Sequence, residues 1–326
     1  MQKLKKRHIY IAACAPDGGI MHGEISDDGK IEIKDTACCD RPMYLALRGQ
    51  RLYTLLRKPD ENSLYSGLTY FEVNKDGSLG KQGDIMSTKG EVACHLAVLD
   101  SGIYAVNYIS GSVIKFPENV VTHTGKGPNP KRQDASHTHF VCETPDEKFI
   151  CVNDLGADRI VVYDNQLNKY SETVMPAGCG PRHLAFSEDG KYAYCINELS
   201  STVTVLGYRN GNFNVGRSYS TLPQNFSGES TAAAIRVHGE YLYASNRGAD
   251  TVCVFKIEGD GLEKLTEFDC GGKSPRDFNI TGDLIVCTNE NSNNITVFRK
   301  TASDFEKTDD VFAKAPLCVI FGGESK

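Results

Sequence analysis

Histidine, arginine and glutamate side chains, which move protons and hold anions, recur in this chain where short apolar runs begin or end. His139 stands in Asp134-Ala135-Ser136-His137-Thr138-His139, just after a Gly/Pro-rich stretch from Gly125 to Pro130. An imidazole there can serve as a base or a hydrogen-bond donor, with His137 supporting the loop. Two histidines at i, i+2 on a strand share a face, so a metal pair is chemically conceivable. No carboxylate or cysteine stands at a matching short spacing, and the expectation is a site with neither metal nor cofactor. Arg182 and Arg247 supply guanidinium forks of the kind that hold carboxylate or phosphate, and two of them suit a doubly charged group. The alternative for Arg182 is a salt bridge to a nearby acid. Glu198 contributes a carboxylate within the same pattern.

The elements that must position these groups are legible as a repeat. Pro181-Arg182-His183-Leu184-Ala185-Phe186, a Glu188-Asp189-Gly190 turn, then Tyr192 to Glu198 and Thr202 to Val205 form one phrase; Pro275 to Phe278, Leu284 to Glu290 and Ile295 to Phe298 form another. Asparagines 107, 153, 197, 246 and 289 mark five copies at a period of roughly 45 residues, which points to propellers or arrays. Each copy holds about four short β-branched and aromatic runs separated by Gly, Asp, Asn or Ser. The expected architecture is therefore all-β: a seven-bladed propeller of four-stranded antiparallel blades, spanning 1–326 as one domain. Pro316 to Phe321 lacks a following strand, and Tyr10 to Cys14 is a strand without a predecessor. Pairing them in one blade would close the ring and remove two exposed edges.

Such a ring gathers two sets of polar residues at one mouth of its channel. The starts of the first strands contribute His95, His139, His183 and Asp277, with Arg182 and Arg276 one position earlier. The positions following the asparagines contribute Arg57, Tyr108, Asp154, Glu198, Arg247 and Glu290. The asparagines themselves read mainly as turn chemistry. The candidate substrate-binding set is His95, His183, Asp154, Arg276, Asp277 and Asn197.

Composition removes other classes. With 36 Lys+Arg against 42 Asp+Glu, the formal charge is −6, so there is no counterion-release reward for binding nucleic acid. No apolar run approaches the ~20 residues of a membrane helix. Twelve cysteines occur without any CxxC spacing, and Cys151, Cys195, Cys253 and Cys287 lie inside apolar runs, which suits reduced core thiols in the cytoplasm. Lys3, Lys5, Lys6 and Arg7 precede only five apolar residues, Ile9 to Ala13, short of a signal-peptide core. Walker A, Gly-x-Gly-x-x-Gly and Gly-x-Ser-x-Gly patterns are missing.

Gly127-Pro128-Asn129-Pro130 with His137-Thr138-His139, Val152 to Arg159, Gly180 to Phe186, Asn197 to Val203, Ser245-Asn246-Arg247-Gly248 and Ser274 to Phe278 together resemble the seven-bladed propeller lactonase family. That family includes bacterial 6-phosphogluconolactonases and relatives of carboxymuconate-lactonizing enzymes. The resemblance covers nearly the whole chain and implies ring opening or closing of a lactone without metal or cofactor. By motif it implies that His139, Arg182, Arg247 and Glu198 carry the reaction, with Glu198 or His139 as the base. The expected small-molecule partner is a sugar lactone, first of all 6-phosphogluconolactone. An unphosphorylated acid-sugar or muconate-type lactone is the enzymatic alternative, and a non-catalytic binding propeller is the rival from another class.

Overall fold

The computed structural model describes residues 5–324 apart from 61 and 303; Lys3 of the basic stretch lies outside the described residues. Among these residues there is no helix. Seven antiparallel sheets form the molecule, and six of them have four strands. The first sheet carries an additional two-residue strand, Met86–Ser87, against Gly67–Val73.

The inner strands are Pro42–Arg48, Ala93–Leu99, Thr138–Glu143, Pro181–Phe186, Thr231–His238, Pro275–Thr281 and Pro316–Glu324. Each packs beside the next and the last packs beside the first, which closes the ring. These strands define blades 1 to 7. Blade 7 joins the chain ends: Lys6–Ala13 pairs with Pro316–Glu324, with Tyr10 opposite Ile320 and Ala12 opposite Cys318. The expected pairing of the termini is what the fold shows.

The core lies between blades. Along the second strand of blade 4, Tyr194 and Ile196 pack with Ile235, Leu242 and Phe255 of blade 5. Their alternates, Ala193 and Cys195, pack with Cys151 and Ile160 of blade 3. Period-2 alternation therefore sends successive side chains to two neighbouring sheets, both buried, so the strand reads as a continuous apolar run. All twelve cysteines are free thiols, eight of them buried, and Cys151, Cys195, Cys253 and Cys287 are fully enclosed. Each acts as a small apolar wedge between sheets.

One local device recurs at the mouth of the channel. Every inner strand enters its ladder through a bulge, so extra residues stand opposite its partner. A bulge re-aims the inserted side chain. The inserted residues include Met43, Cys94, His139, Arg182, Arg276 and Leu317, whereas blade 5 inserts Ala233 and Ala234. Just before this bulge, Arg41, Gly180, Ser274 and Ala315 adopt left-handed φ values of 42°, 64°, 62° and 43°. Their carbonyls accept from the backbone N–H of Arg57, Glu198, Glu290 and Cys14. Gly180 also has no room for a side chain, since a Cβ would lie 2.6 Å from Leu199 Cγ.

Candidate active site

A cavity of about 350 Å³ opens at this mouth, on the propeller axis. Its floor is built by bulge residues: Met43, Cys94, His139, Arg276 and Leu317. Its wall comes from residues at or just past the ends of the second strands of six blades: Cys14, Arg57, Tyr108, Glu198, Arg247 and Glu290. Val92, Ile109 and Arg132 complete the lining. The sites are set by backbone geometry: a bulge turns one side chain up from the floor, and a strand end aims another inward.

Glu198 is the electrostatic centre. It is 3% exposed. Its Oε1 accepts from Arg132 Nη2, while Oε2 accepts from Arg182 Nε at 3.0 Å and lies 2.9 Å from Arg247 Nη2. Burial alone would raise its pKa, but Arg247, Arg182 and Arg132 outweigh burial and hold the carboxyl well below its usual range. Arg182 is itself fully enclosed; desolvation and the Arg247 charge pull it down to about 9. It remains a cation at neutral pH and also donates to the Ala233 carbonyl, 2.7 Å away. Burial also lowers Arg247. Burial opposes the charge of Arg132, but the field of Glu198 prevails and raises it.

His139 borders this cluster as a neutral imidazole. Desolvation and the Arg182 charge lower its pKa well below 6.5, and its Nδ1 is buried without a hydrogen-bond partner. Tyr108 lies edge-on to His139, with centroids 5.7 Å apart, and stacks on His137 at 4.5 Å. Desolvation raises the Tyr108 phenol, which therefore stays protonated. His137 precedes the strand and bonds to the Tyr108 carbonyl, 2.9 Å from Nδ1. The two histidines therefore do not act as a strand-face pair: the bulge at His139 breaks the i, i+2 relation. Among the described residues no group of three or more His, Cys, Asp or Glu is arranged to hold a metal ion.

The candidate residues separate into three levels. His139, Glu198, Arg247 and Arg276 line the cavity. Arg182, His183 and Asp277 border a narrow chamber beneath it, beside Tyr44. His95 lies deeper in the axis, its ring 5.3 Å from His183 and 4.2 Å from Phe140. Asp277 faces Arg236 at 2.6 Å. Desolvation, reinforced by arginine charge, keeps His95 and His183 neutral.

Asp154 and Asn197 lie outside the cavity lining. Asn197 donates to Thr202 Oγ1 and Thr204 Oγ1 at 2.9 and 2.8 Å, clasping its own hairpin. Asp154 occupies the equivalent clasp in blade 3: Thr138 stands opposite it as Pro181 stands opposite Asn197. Leu155 N–H then bonds to the His137 carbonyl as Glu198 N–H bonds to that of Gly180. The repeat is thus one residue displaced here, so Leu155 and not Asp154 is the counterpart of Glu198, and Phe140 and not His139 the counterpart of His183. Asp154 accepts instead from His123 Nδ1, Arg159, and the backbone N–H groups of His137 and Ala157.

Sequence reading did not single out Arg132. It rides the loop after Gly125, where Asn129 Oδ1 accepts from the N–H groups of Lys131 and Arg132. Buried Gln133 anchors that loop to the Leu155 carbonyl and Asp158. The available signal was the Gly/Pro-rich stretch itself, directly before His137 and His139.

The fold is a closed seven-bladed propeller with an arginine-rich axial cavity. The chain belongs to the family described as Lactonase, 7-bladed beta-propeller, whose profile matches residues 8–321. An uncharacterised protein of Staphylococcus aureus strain USA300 is 32% identical over 332 residues, covering 93% of this chain and 96% of that protein. A Lactobacillus plantarum protein of known structure superposes with a TM-score of 0.89 at 29% identity, over 97% of this chain and 99% of that one. A candidate 6-phosphogluconolactonase of Bacteroides fragilis superposes with a TM-score of 0.87 at 25% identity, over 98% of both chains.

Proposed function

We propose that this protein hydrolyses an anionic sugar lactone, with 6-phosphogluconolactone as the leading substrate. The observation that carries this reading is the charge inventory of the cavity. Arg57, Arg132, Arg247 and Arg276 face only Glu198 and Glu290, and a neutral imidazole stands among them. An excess of guanidinium in a partly enclosed cavity favours a phosphate or carboxylate ligand. Family membership and the Bacteroides fragilis structure support the lactone class.

Glu198 is the poorer base of the two candidates, because its oxygens are taken by three arginines. It holds the guanidiniums in place. His139 is the base: its imidazole accepts a proton from water as the water oxygen bonds to the lactone carbonyl carbon. Guanidinium groups stabilise the resulting oxyanion. The ring C–O bond then breaks, and the imidazolium returns the proton to the departing alkoxide, leaving a hydroxyl and a carboxylic acid that releases its proton to water as the carboxylate.

Rates of 6-phosphogluconolactone opening, measured above the spontaneous background, test this reading. A positioned base contributes about 10²–10⁴-fold, and His139→Gln is expected to lose that factor in kcat with its fold intact by circular dichroism. Preference for the unphosphorylated lactone would move the substrate to the acid-sugar class. Wild-type rates equal to background with both lactones would overturn hydrolysis and favour a binding propeller.

A further inference from the structure

The cavity is not uniformly polar. Three adjacent blades, 7, 1 and 2, place Leu317, Met43 and Cys94 on its floor, 6%, 5% and 8% exposed. The two thiols in this quarter are already engaged, while the nearest free donors belong to Arg57 on the wall above. Cys14 Sγ donates to Met43 Sδ at 3.5 Å, and Cys94 Sγ donates to the His139 carbonyl at 3.5 Å. A ligand hydroxyl pressed against Leu317, Met43 and Cys94 on the floor would lose its water without gaining a partner.

Val92, two residues before Cys94 in the chain, also lines the cavity. Its φ is +54°, the left-handed region that a β-branched residue adopts only under strain. It occupies the position held by Gly180 in blade 4, its carbonyl accepting from Tyr108 N–H at 2.9 Å. Arg41, Ser274 and Ala315 hold the same left-handed slot in other blades, and Val92 is the β-branched residue among them. Strain of this kind concentrates at ligand sites.

We propose that Val92, Met43, Cys94 and Leu317 form a subsite for the hydroxyl-free face of the lactone ring, with Val92 as the specificity-determining residue. The inference rests on the anionic sugar lactone reading and deepens it. In a pyranose ring whose hydroxyls are all equatorial, both faces present only C–H groups. Such a ring lies flat on the apolar quarter while its hydroxyls point to the rim and its anionic arm reaches the arginines. An axial hydroxyl directed at the quarter would be desolvated and unpaired.

The test separates ring recognition from hydrolysis. The ring probes are 1,5-anhydroglucitol 6-phosphate, which has no carbonyl to open, and its C4 epimer with an axial hydroxyl. Calorimetry with the wild type is expected to show the epimer binding at least about fivefold more weakly. Val92→Thr keeps the side-chain shape and offers a hydroxyl, and is expected to narrow that ratio to under about twofold. Val92→Gly relieves the backbone and is expected to raise Tm by roughly 1–3 °C while weakening the all-equatorial probe severalfold. Equal affinities for the two epimers, or a ratio unmoved by both variants, would overturn the subsite. Epimer discrimination in a protein that opens no lactone would uphold the subsite and reject hydrolysis; lactone opening without discrimination would do the reverse.

Discussion

Blades 3 and 4 share one backbone plan but put their carboxylates to opposite uses. In blade 4 the clasp is neutral Asn197, and the next residue, Glu198, carries charge into the cavity. In blade 3 the clasp is charged Asp154, and the next residue is Leu155, buried and apolar. Both carboxylates are almost wholly enclosed, and both stay ionised because cations and N–H donors surround them; burial pushes the Asp154 carboxyl up, but His123 and Arg159 bring it below the usual range. Adjacent positions of a repeat can thus serve as a structural slot and a functional slot. A charge in the first is sealed by the blade itself, whereas a charge in the second organises groups that face a ligand.

Breaking the functional slot is expected to have the largest effect. Glu198→Ala removes the counter-charge of Arg132, Arg182 and Arg247, and leaving buried cations unpaired costs about 3–5 kcal/mol. Chemical denaturation checks the loss in stability, and lactone opening should fall with it. Glu198→Gln, which retains two acceptor lone pairs, is expected to lose less stability.

Asp154→Asn sharpens the contrast by making blade 3 resemble blade 4. It turns an amide toward Arg159 or His123 and is expected to cost about 1–3 kcal/mol. Because Asp154 does not line the cavity, Tm should fall while KM changes little. A raised KM with an unchanged Tm would show that the two slots are not separate.

Near neutral pH the axial histidines supply the smallest effect, as a pH dependence that grows on acidification. His95, His139 and His183 have folded-state pKa values lowered below 6.5, so below that pH the unfolded chain binds more protons than the folded one. Stability therefore rises with pH through this window and levels off above it. Each histidine contributes up to about 1.4 kcal/mol per pH unit. Denaturation midpoints between pH 5 and 8 check the slope, and His95→Gln should reduce it by one such increment.

The one-residue displacement at blade 3 shows where sequence reading reaches its limit. Asn153-Asp154 looks like Asn197-Glu198, with the same residue type followed by an acid. Only the pairing of Thr138 with Asp154 reveals that the asparagine is a different position and that His139 is the bulge residue. Asn153 turns toward blade 4, where Nδ2 lies 3.7 Å from Cys195 Sγ. Arg132 escaped notice for a related reason: its loop lies outside the repeat, so no period marks it. Arg182 met the alternative weighed for it, a salt bridge, and the acid it meets is Glu198 itself.

Repetition is a local property written along the chain, and strand composition, turn residues and period sufficed for the seven-bladed ring, its closure through the termini and the clustering of His, Arg and Glu at one mouth. Level and partnership within that mouth were decided by the tertiary structure. Bulges offset the strand register by single residues, and blades distant in sequence meet at the axis. Whether a charge faces a ligand, a counter-charge or an apolar wall depends on those contacts. Val92 illustrates the division: in sequence it is an ordinary valine, and its strain and its place in the cavity lining exist only in the folded ring.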